Sequence, residues 1–537
     1  MKKIVKTLVL FLAIALLVTA FSACTGSKSP SEDETSNDST KEPVTQNVPK
    51  ETTLKIFLFG TEGQHYRSVE PVIKEFENRT KNTLNIKLNI TWTPPADYRQ
   101  KLPMWVAAQE EMDLVFDAPW MNLERLASQG AYQDVEKYFN NDQYPGLKKA
   151  FSSDFINSNK FFGKMYAIPI TNTFMDMEGV YYRKDLLDKY GLQPIKSYDD
   201  LYNFLTVIAE NEPDYVPYGP YGTQGFFKLF LEPSERQLKG RVFTFLEYID
   251  VAISADGKSV AGIAAYGDPD ENYAGFPSGY GKEYVLNYFN NCRKFGKFLP
   301  PDVLAGGETG KDAAAWYGVI SGFENTNAQL KTKYPDAELE FWPIYKNSQN
   351  MTPGGQATDY KAWNFLCVPI TSKQVDRTMQ FLDWVYGSQE NNDLFVYGIE
   401  GTHWTAVGDN EWKVKEGVDP YTNYAWPGYQ LGWSPVYQRI PAGLPDKIRE
   451  LYLYQLKEDT FTETVLAGFT FNQQPVETEI AKCAPLIDKY IRPLQCGLFE
   501  NPEEKLKEFN SELVAAGVDK IKEELKKQIN EFLANKK

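Results

Sequence analysis

Leu54-Lys55-Ile56-Phe57-Leu58-Phe59-Gly60 opens the folded part of this chain, and Leu84-Asn85-Ile86-Lys87-Leu88-Asn89-Ile90-Thr91-Trp92 follows it. The first is a short apolar run closed by glycine, which predicts a strand. The second alternates apolar and polar residues, the period of a strand with one face buried. Between them Val72, Ile73 and Phe76 recur at helical spacing within 69–79. Beyond them Tyr98 to Gln109 reads as a helix despite Pro103, and Asp113 to Asp117 as the next strand. Strands separated by helices predict an α/β protein, a mainly parallel sheet with helices on both faces, and ligands beyond the carboxyl ends of the strands.

Further along, Ser197 with Asp200 three residues later caps a helix carrying Leu201, Phe204, Leu205 and Ile208. Residues 211–282 are rich in Gly, Pro and Tyr and read as loops and short elements. Trp363 to Ile370 is strand-like, and the remainder reads as mostly helical. Asn501-Pro502 starts a helix that Gly517 stops, and Asp519 starts a last one with Ile521, Leu525, Ile529, Phe532 and Leu533 on one face. No internal repeat is visible.

The 537 residues hold 72 Asp and Glu against 57 Lys and Arg, a balance that disfavours nucleic-acid binding. Aromatic residues reach 14%, and only two histidines, His65 and His403, are present, which leaves little room for imidazole-based metal or acid–base chemistry. Lys2, Lys3 and Lys6 precede an apolar run from Leu8 to Val18, too short to span a bilayer and typical of a secretory signal. Ser22-Ala23-Cys24 resembles the bacterial lipobox, with Phe21 in place of the usual leucine, which implies a signal peptide of residues 1–23 and lipidation of Cys24. Residues 24–50 carry almost nothing apolar and predict a disordered tether. Cys292, Cys367, Cys483 and Cys496 form no Cys-x-x-Cys pair, so zinc and thioredoxin-like chemistry find no support, and burial without bridges is expected. Asn211-Glu212-Pro213-Asp214-Tyr215 lacks the alternating oxygen ligands of a calcium loop, and the other acidic cluster, Asp268-Pro269-Asp270-Glu271-Asn272, reads as a solvated turn and not a metal site. We expect no metal and no cofactor.

A family resemblance rests on several segments in order. Asp113-Leu114-Val115-Phe116-Asp117, then Leu126-Ala127-Ser128-Gln129-Gly130-Ala131-Tyr132, resemble the first lobe of bacterial extracellular solute-binding proteins. Gly163-Lys164-Met165-Tyr166-Ala167-Ile168-Pro169 resembles that family's entry into the interlobe crossover, and Tyr182 to Leu192 the segment after it. Tyr397-Gly398-Ile399-Glu400-Gly401 and the tail from Gly468-Phe469 are similar to the LplA-like subgroup. The resemblance implies a two-lobed, type II periplasmic-binding-protein-like fold that closes by a hinge over a sugar or oligosaccharide and delivers it to the membrane subunits of an ABC importer. It implies a first lobe of 51–170 plus 363–415 and a second of 171–362 plus 416–537. The protein would be a monomer on the outer face of a bacterial cell membrane, held by its lipid alone.

Sugar rings bind through aromatic faces for their C–H groups and through carboxylates, amides and arginine for their hydroxyls. Where the family's contacts fall, the candidates are Thr61, Glu62, Asp117, Trp120, Asn172, Thr173, Phe323, Asn325, Trp363, Trp404, Trp426 and Trp433. Asp117 either accepts sugar hydroxyls or caps the next helix, and any single Trp can be core; Trp384, between Leu382 and Val385, is read that way. Rival functions are peptide capture or ligand presentation to a sensor on the same fold. A glycoside hydrolase is a further rival, but with 72 acids a carboxylate pair alone proves nothing. No G-x-S-x-G or H-E-x-x-H motif is present, and we expect no enzyme.

Overall fold

The computed structural model describes residues 48–61, 63, 66–230, 240–306, 312–419, 422–426 and 428–536. The signal, lipobox and most of the tether, together with Glu62, lie outside the described residues.

The opening strands form as their patterns dictate. Thr52–Phe59 pairs in parallel with Ile86–Thr93 over its whole length, from Thr52 opposite Ile86 to Phe59 opposite Thr93. Between them Val69–Thr80 is helical and buries Val69, Val72, Phe76 and Thr80 on one stripe. Phe76 meets Phe381, Trp384 and Phe395 edge-on at 5.0–5.7 Å, so this helix is locked to Val375–Val385 and Gln389–Val396. Leu114–Asp117 continues the parallel pairing, but Asn364–Cys367 and Ile168–Ile170 then add antiparallel. The resulting five-stranded sheet is therefore mixed: four strands run one way and only Asn364–Cys367 runs against them.

A second core surrounds a four-stranded sheet in the order Leu339–Pro343, Glu178–Arg183, Asp312–Val319, Tyr215–Gly219. Only its last pair is parallel. Ser197 caps Tyr198–Asn211 as predicted, its Oγ accepting from the Asp200 amide at 3.2 Å. Residues 211–282 hold more order than their composition suggested: Val242–Phe245, Ile249–Ile253 and Val260–Ala265 form an antiparallel sheet. Ile249–Ile253 is buried on both faces, so it carries no alternation for a sequence reading to find.

The C-terminal helices Pro502–Ala516 and Val518–Asn535 cover this second core, separated by Gly517 at φ +101°. Asp268 is not a solvated turn residue. It is buried and accepts from the Ala265 amide (2.8 Å), Asn510 Nδ2 (2.7 Å) and Lys522 Nζ (2.9 Å), tying the loop after the small sheet to both helices.

The fold is thus α/β and two-lobed, with each core discontinuous in sequence. The first draws on residues 54–170 and 362–437, the second on 180–345 and 466–533. Trp426, Leu431 and Tyr437 pack into the first core, whereas the expectation gave everything after 415 to the second lobe. A smaller cluster, in which Met177, Tyr181 and Phe323 meet Ile448, Leu451 and Tyr452, lies where the chain crosses between cores. There the Met177 amide donates to Gln455 Oε1 (2.9 Å) and Thr358 Oγ1 to the Phe174 carbonyl (2.8 Å). The four cysteines past Cys24 are buried free thiols.

Candidate functional site

A cavity of about 430 Å³ opens between the two lobes. Tyr66 and Arg67, just beyond the carboxyl end of Thr52–Phe59, form part of one wall, and the strands Trp404–Val407 and Glu411–Val414 with loops between 396 and 433 form most of the rest. Ser321, Glu324 and Asn325, at the start of helix Phe323–Lys333, face them from the other lobe, with Asn172 from the first crossover.

The aromatic wall is built from beneath. Gly398, at φ +87°, turns the chain so that its carbonyl accepts from Trp404 Nε1 at 2.9 Å. The rings of Trp404 and Trp412 stand 5.5 and 4.8 Å from that of Tyr397. Under Trp404 the Arg439 guanidinium lies 5.2 Å from the ring, held by Asp393 at 2.9–3.0 Å. Burial pushes the Asp393 pKa up, and Arg439 and Gln389 oppose that shift. His403 stacks on Tyr424 at 5.5 Å and accepts the Ile399 amide at Nδ1 (2.9 Å). That bond assigns the proton to Nε2, and burial pushes the imidazole pKa down, so the ring is a neutral donor. Gly428 lacks the Cβ that would come within 2.0 Å of the Trp433 indole, so this ring lies against the backbone.

Opposite, half-buried Asp176 accepts from the Ser321 hydroxyl and, at 3.3 Å, from its amide, fixing the start of the helical segment to the crossover. Burial lifts its pKa to about 6. Glu324 is also pushed up by burial. Flat aromatic surfaces, amides and few charges suit a polyhydroxylated, largely uncharged ligand.

Of the expected site residues, Asn172, Asn325, Trp404, Trp426 and Trp433 line this cavity. Trp426 is mainly core, wedged between Trp92 (5.6 Å) and Phe395 (5.8 Å), though its indole N–H has no partner among the described residues. Trp120 and Trp363 lie outside the cavity but stay 44% and 60% exposed, joined by Trp120 Nε1 donating to the Trp363 carbonyl at 3.0 Å. Asp117 is closed off: its carboxylate accepts from the Ala118 and Asn122 amides (2.8 and 3.1 Å) and from the Tyr132 hydroxyl (2.6 Å). Of its two readings the local brace is the one seen, and burial lifts its pKa to about 6. Thr173 is buried against Gln455, and Phe323 sits in the crossover cluster beside Tyr181, so neither reaches the cavity. Thr61 does not line it either; its carbonyl accepts the Tyr66 amide at 3.3 Å.

Sequence reasoning missed Tyr66, Arg67, Glu324, Trp412 and Tyr424. Only Trp412, in the alternating Glu411-Trp412-Lys413-Val414, carried a local signal. Among the described residues no group of three or more His, Cys, Asp or Glu could hold a metal ion.

Comparison with known proteins agrees with the two-lobed fold. The sequence profile of the bacterial extracellular solute-binding proteins matches residues 60–392, and that of a domain of unknown function, DUF3502, matches 465–534. A carbohydrate ABC transporter substrate-binding protein of Streptococcus pneumoniae serotype 4 is 25% identical over 461 residues, 84% of this chain and 85% of that protein. The N-glycan transport solute-binding protein NgtS of Streptococcus pneumoniae superposes with a TM-score of 0.67 at 20% identity, over 90% of this chain and 100% of that one; it is also solved with Man1GlcNAc and Man5GlcNAc. The alginate-binding protein AlgQ2 gives a TM-score of 0.59 at 15% identity, over 91% of this chain and 99% of that one.

Proposed function

We propose that this chain, which belongs to the bacterial extracellular solute-binding proteins, captures a sugar or oligosaccharide between its two lobes and hands it to an ABC importer. The observation that carries this reading is the cavity of about 430 Å³, with an aromatic wall from one lobe and an amide-bearing helix from the other. A ligand touching both walls favours the closed arrangement, which is how binding selects a conformation that a permease can read. Burying ~80 Å² of sugar face on each of three rings contributes roughly 2 kcal/mol apiece at ~25 cal/mol per Å². With a few hydrogen bonds that reaches the ~8 kcal/mol of a micromolar complex after association costs. Its relatives include a carbohydrate ABC transporter substrate-binding protein and an N-glycan transport solute-binding protein, which supports the same ligand class.

On this reading the lobes are residues 48–170 with 362–437 and 178–345 with 464–536, the crossovers between them serving as hinge. The family works outside the cytoplasmic membrane. The protein acts there as a monomer, anchored through a lipid on Cys24 and binding its ligand without altering it. Replacing Cys24 with Ala should release it into the medium and abolish palmitate labelling.

The test of function is a thermal-shift screen against mono- and oligosaccharides, followed by chromatography of the incubated sugars. A ligand at 100 times its Kd stabilises by about 2.7 kcal/mol. A clear upward shift with the sugar recovered intact is expected. Cleaved sugar would mean an enzyme, and shifts with peptides alone would overturn the carbohydrate reading.

A further inference from the structure

A second cavity, of about 280 Å³, also has walls from both lobes. Met121, Gln129 and Phe162 come from the first, and Phe471, Gln473 and Gln474 from the second. Between it and the central cavity runs a row of aromatic rings, half-buried or exposed except for buried Phe59 beneath them. Trp433 in the central wall is 5.9 Å from Tyr429, Tyr429 is 6.0 Å from Phe59, and Phe59 is 6.2 Å from Trp120, whose neighbours Pro119 and Met121 line the second cavity.

The sheet explains this alignment. Tyr66 and Arg67 follow Thr52–Phe59, Trp120 follows Leu114–Asp117, and Trp363 precedes the antiparallel Asn364–Cys367, so all lie at one end of adjacent strands. Two large indoles left 44% and 60% exposed midway along such a row forgo burial that a core position would supply. The second cavity also offers amides not tied to other described residues at Gln129, Gln473 and Gln474. Its charges are Glu124 and Glu477 against Arg125, whose guanidinium donates to Asn122 Oδ1 at 2.8 Å. At the midpoint, the Lys228 ammonium stands 4.8 Å over Trp363 and is paired with Glu178. A uronate would meet more carboxylate than unclaimed cation here.

Building on the carbohydrate reading, we propose that the ligand groove continues from the central cavity across Trp120 and Trp363 into this second cavity, which takes the outer, neutral residues of an oligosaccharide.

The test is calorimetry with the purified protein on length series. These are di- to hexasaccharides of β-1,4-linked mannose, glucose and xylose, the pair Man1GlcNAc and Man5GlcNAc, and oligogalacturonate as the charged control. The longer member of a bound neutral series should bind at least 10-fold tighter than the disaccharide. Ser128→Trp, from an exposed position whose hydroxyl donates only to the Arg125 carbonyl, fills the second cavity. It should erase that gain while changing the disaccharide Kd less than 2-fold. Should that variant not fold, the double variant Gln473→Ala/Gln474→Ala should reduce the gain at least 3-fold. A gain retained in a folded Ser128→Trp variant overturns the proposal. No gain with length in the wild type removes the second cavity from the site and leaves the carbohydrate reading standing. Tighter binding of oligogalacturonate than of the neutral series overturns the neutral class. Binding of no glycan at all removes both readings.

Discussion

Replacing Arg439 with Met tests whether the aromatic wall is held from beneath by a buried charge pair. Asp393 Oδ2 accepts from Arg439 Nε and Nη2 at 3.0 and 2.9 Å, and Oδ1 from Gln389 Nε2 at 2.8 Å. The substitution keeps much of the side chain's length but takes both donors from Oδ2, leaving a buried carboxylate with one amide. Removing one partner of a buried pair costs about 3–5 kcal/mol; the retained Gln389 bond puts the expectation near the lower end, about 3 kcal/mol. The pH dependence is the sharper readout. Burial already raises the Asp393 pKa, and removing the guanidinium takes away the main influence holding it down. A carboxyl whose folded pKa exceeds its unfolded value contributes most below the unfolded pKa, and stability falls as pH rises toward the folded one. The deficit of Arg439→Met relative to wild type should therefore be larger at pH 7 than at pH 4, measured by guanidinium unfolding at both. With Trp404 and Tyr397 no longer braced, affinity for a bound sugar should also fall about 10-fold, which is ~1.4 kcal/mol. A deficit under about 1 kcal/mol at pH 7, or one equal at both pH values, would refute the argument.

Lys522→Met should destabilise the protein by about 3 kcal/mol, because it strips the buried Asp268 of its cation; the same unfolding experiment checks it, and Asp268→Asn added to Lys522→Met should recover part of the loss. Gly398→Ala should cost about 1–2 kcal/mol for the left-handed backbone alone. Its Cβ would also fall 2.5 Å from His403 Nδ1, so sugar affinity measured by calorimetry should drop with stability. His403 has a lowered folded pKa, so its contribution is intact above its unfolded pKa of about 6.5 and is lost as pH falls below that value. Thermal unfolding from pH 8 to 5 should show that decline, and His403→Gln should flatten it.

What the sequence made legible was what local chemistry determines. The strand Thr52–Phe59, the stripe on Val69–Thr80, the Ser197 cap and the Asn501 and Gly517 boundaries of the helix between them each depend on residues a few positions apart. The same holds for Trp433 near Gly428, whose loop advertises an aromatic ring where burial is scarce; Trp404, beside the Glu400-Gly401 turn, is itself almost wholly buried at the cavity's edge. The misreadings share a different cause. Asp117 is occupied because Tyr132 comes back over it, Asp268 because Lys522 arrives from the last helix, and Phe323 because Tyr181 stands on the strand facing it. Tyr66 and Trp412 enter the same wall from segments more than 300 residues apart, so no window on either could pair them. Each core is assembled from two stretches, and a residue's role at the boundary depends on which distant stretch meets it. That same discontinuity is what lets both lobes line the central cavity. The chain crosses between them several times, and side chains at those crossings, Asn172 and Trp363 among them, belong to neither hydrophobic core, which is why the proposed ligand contacts lie there.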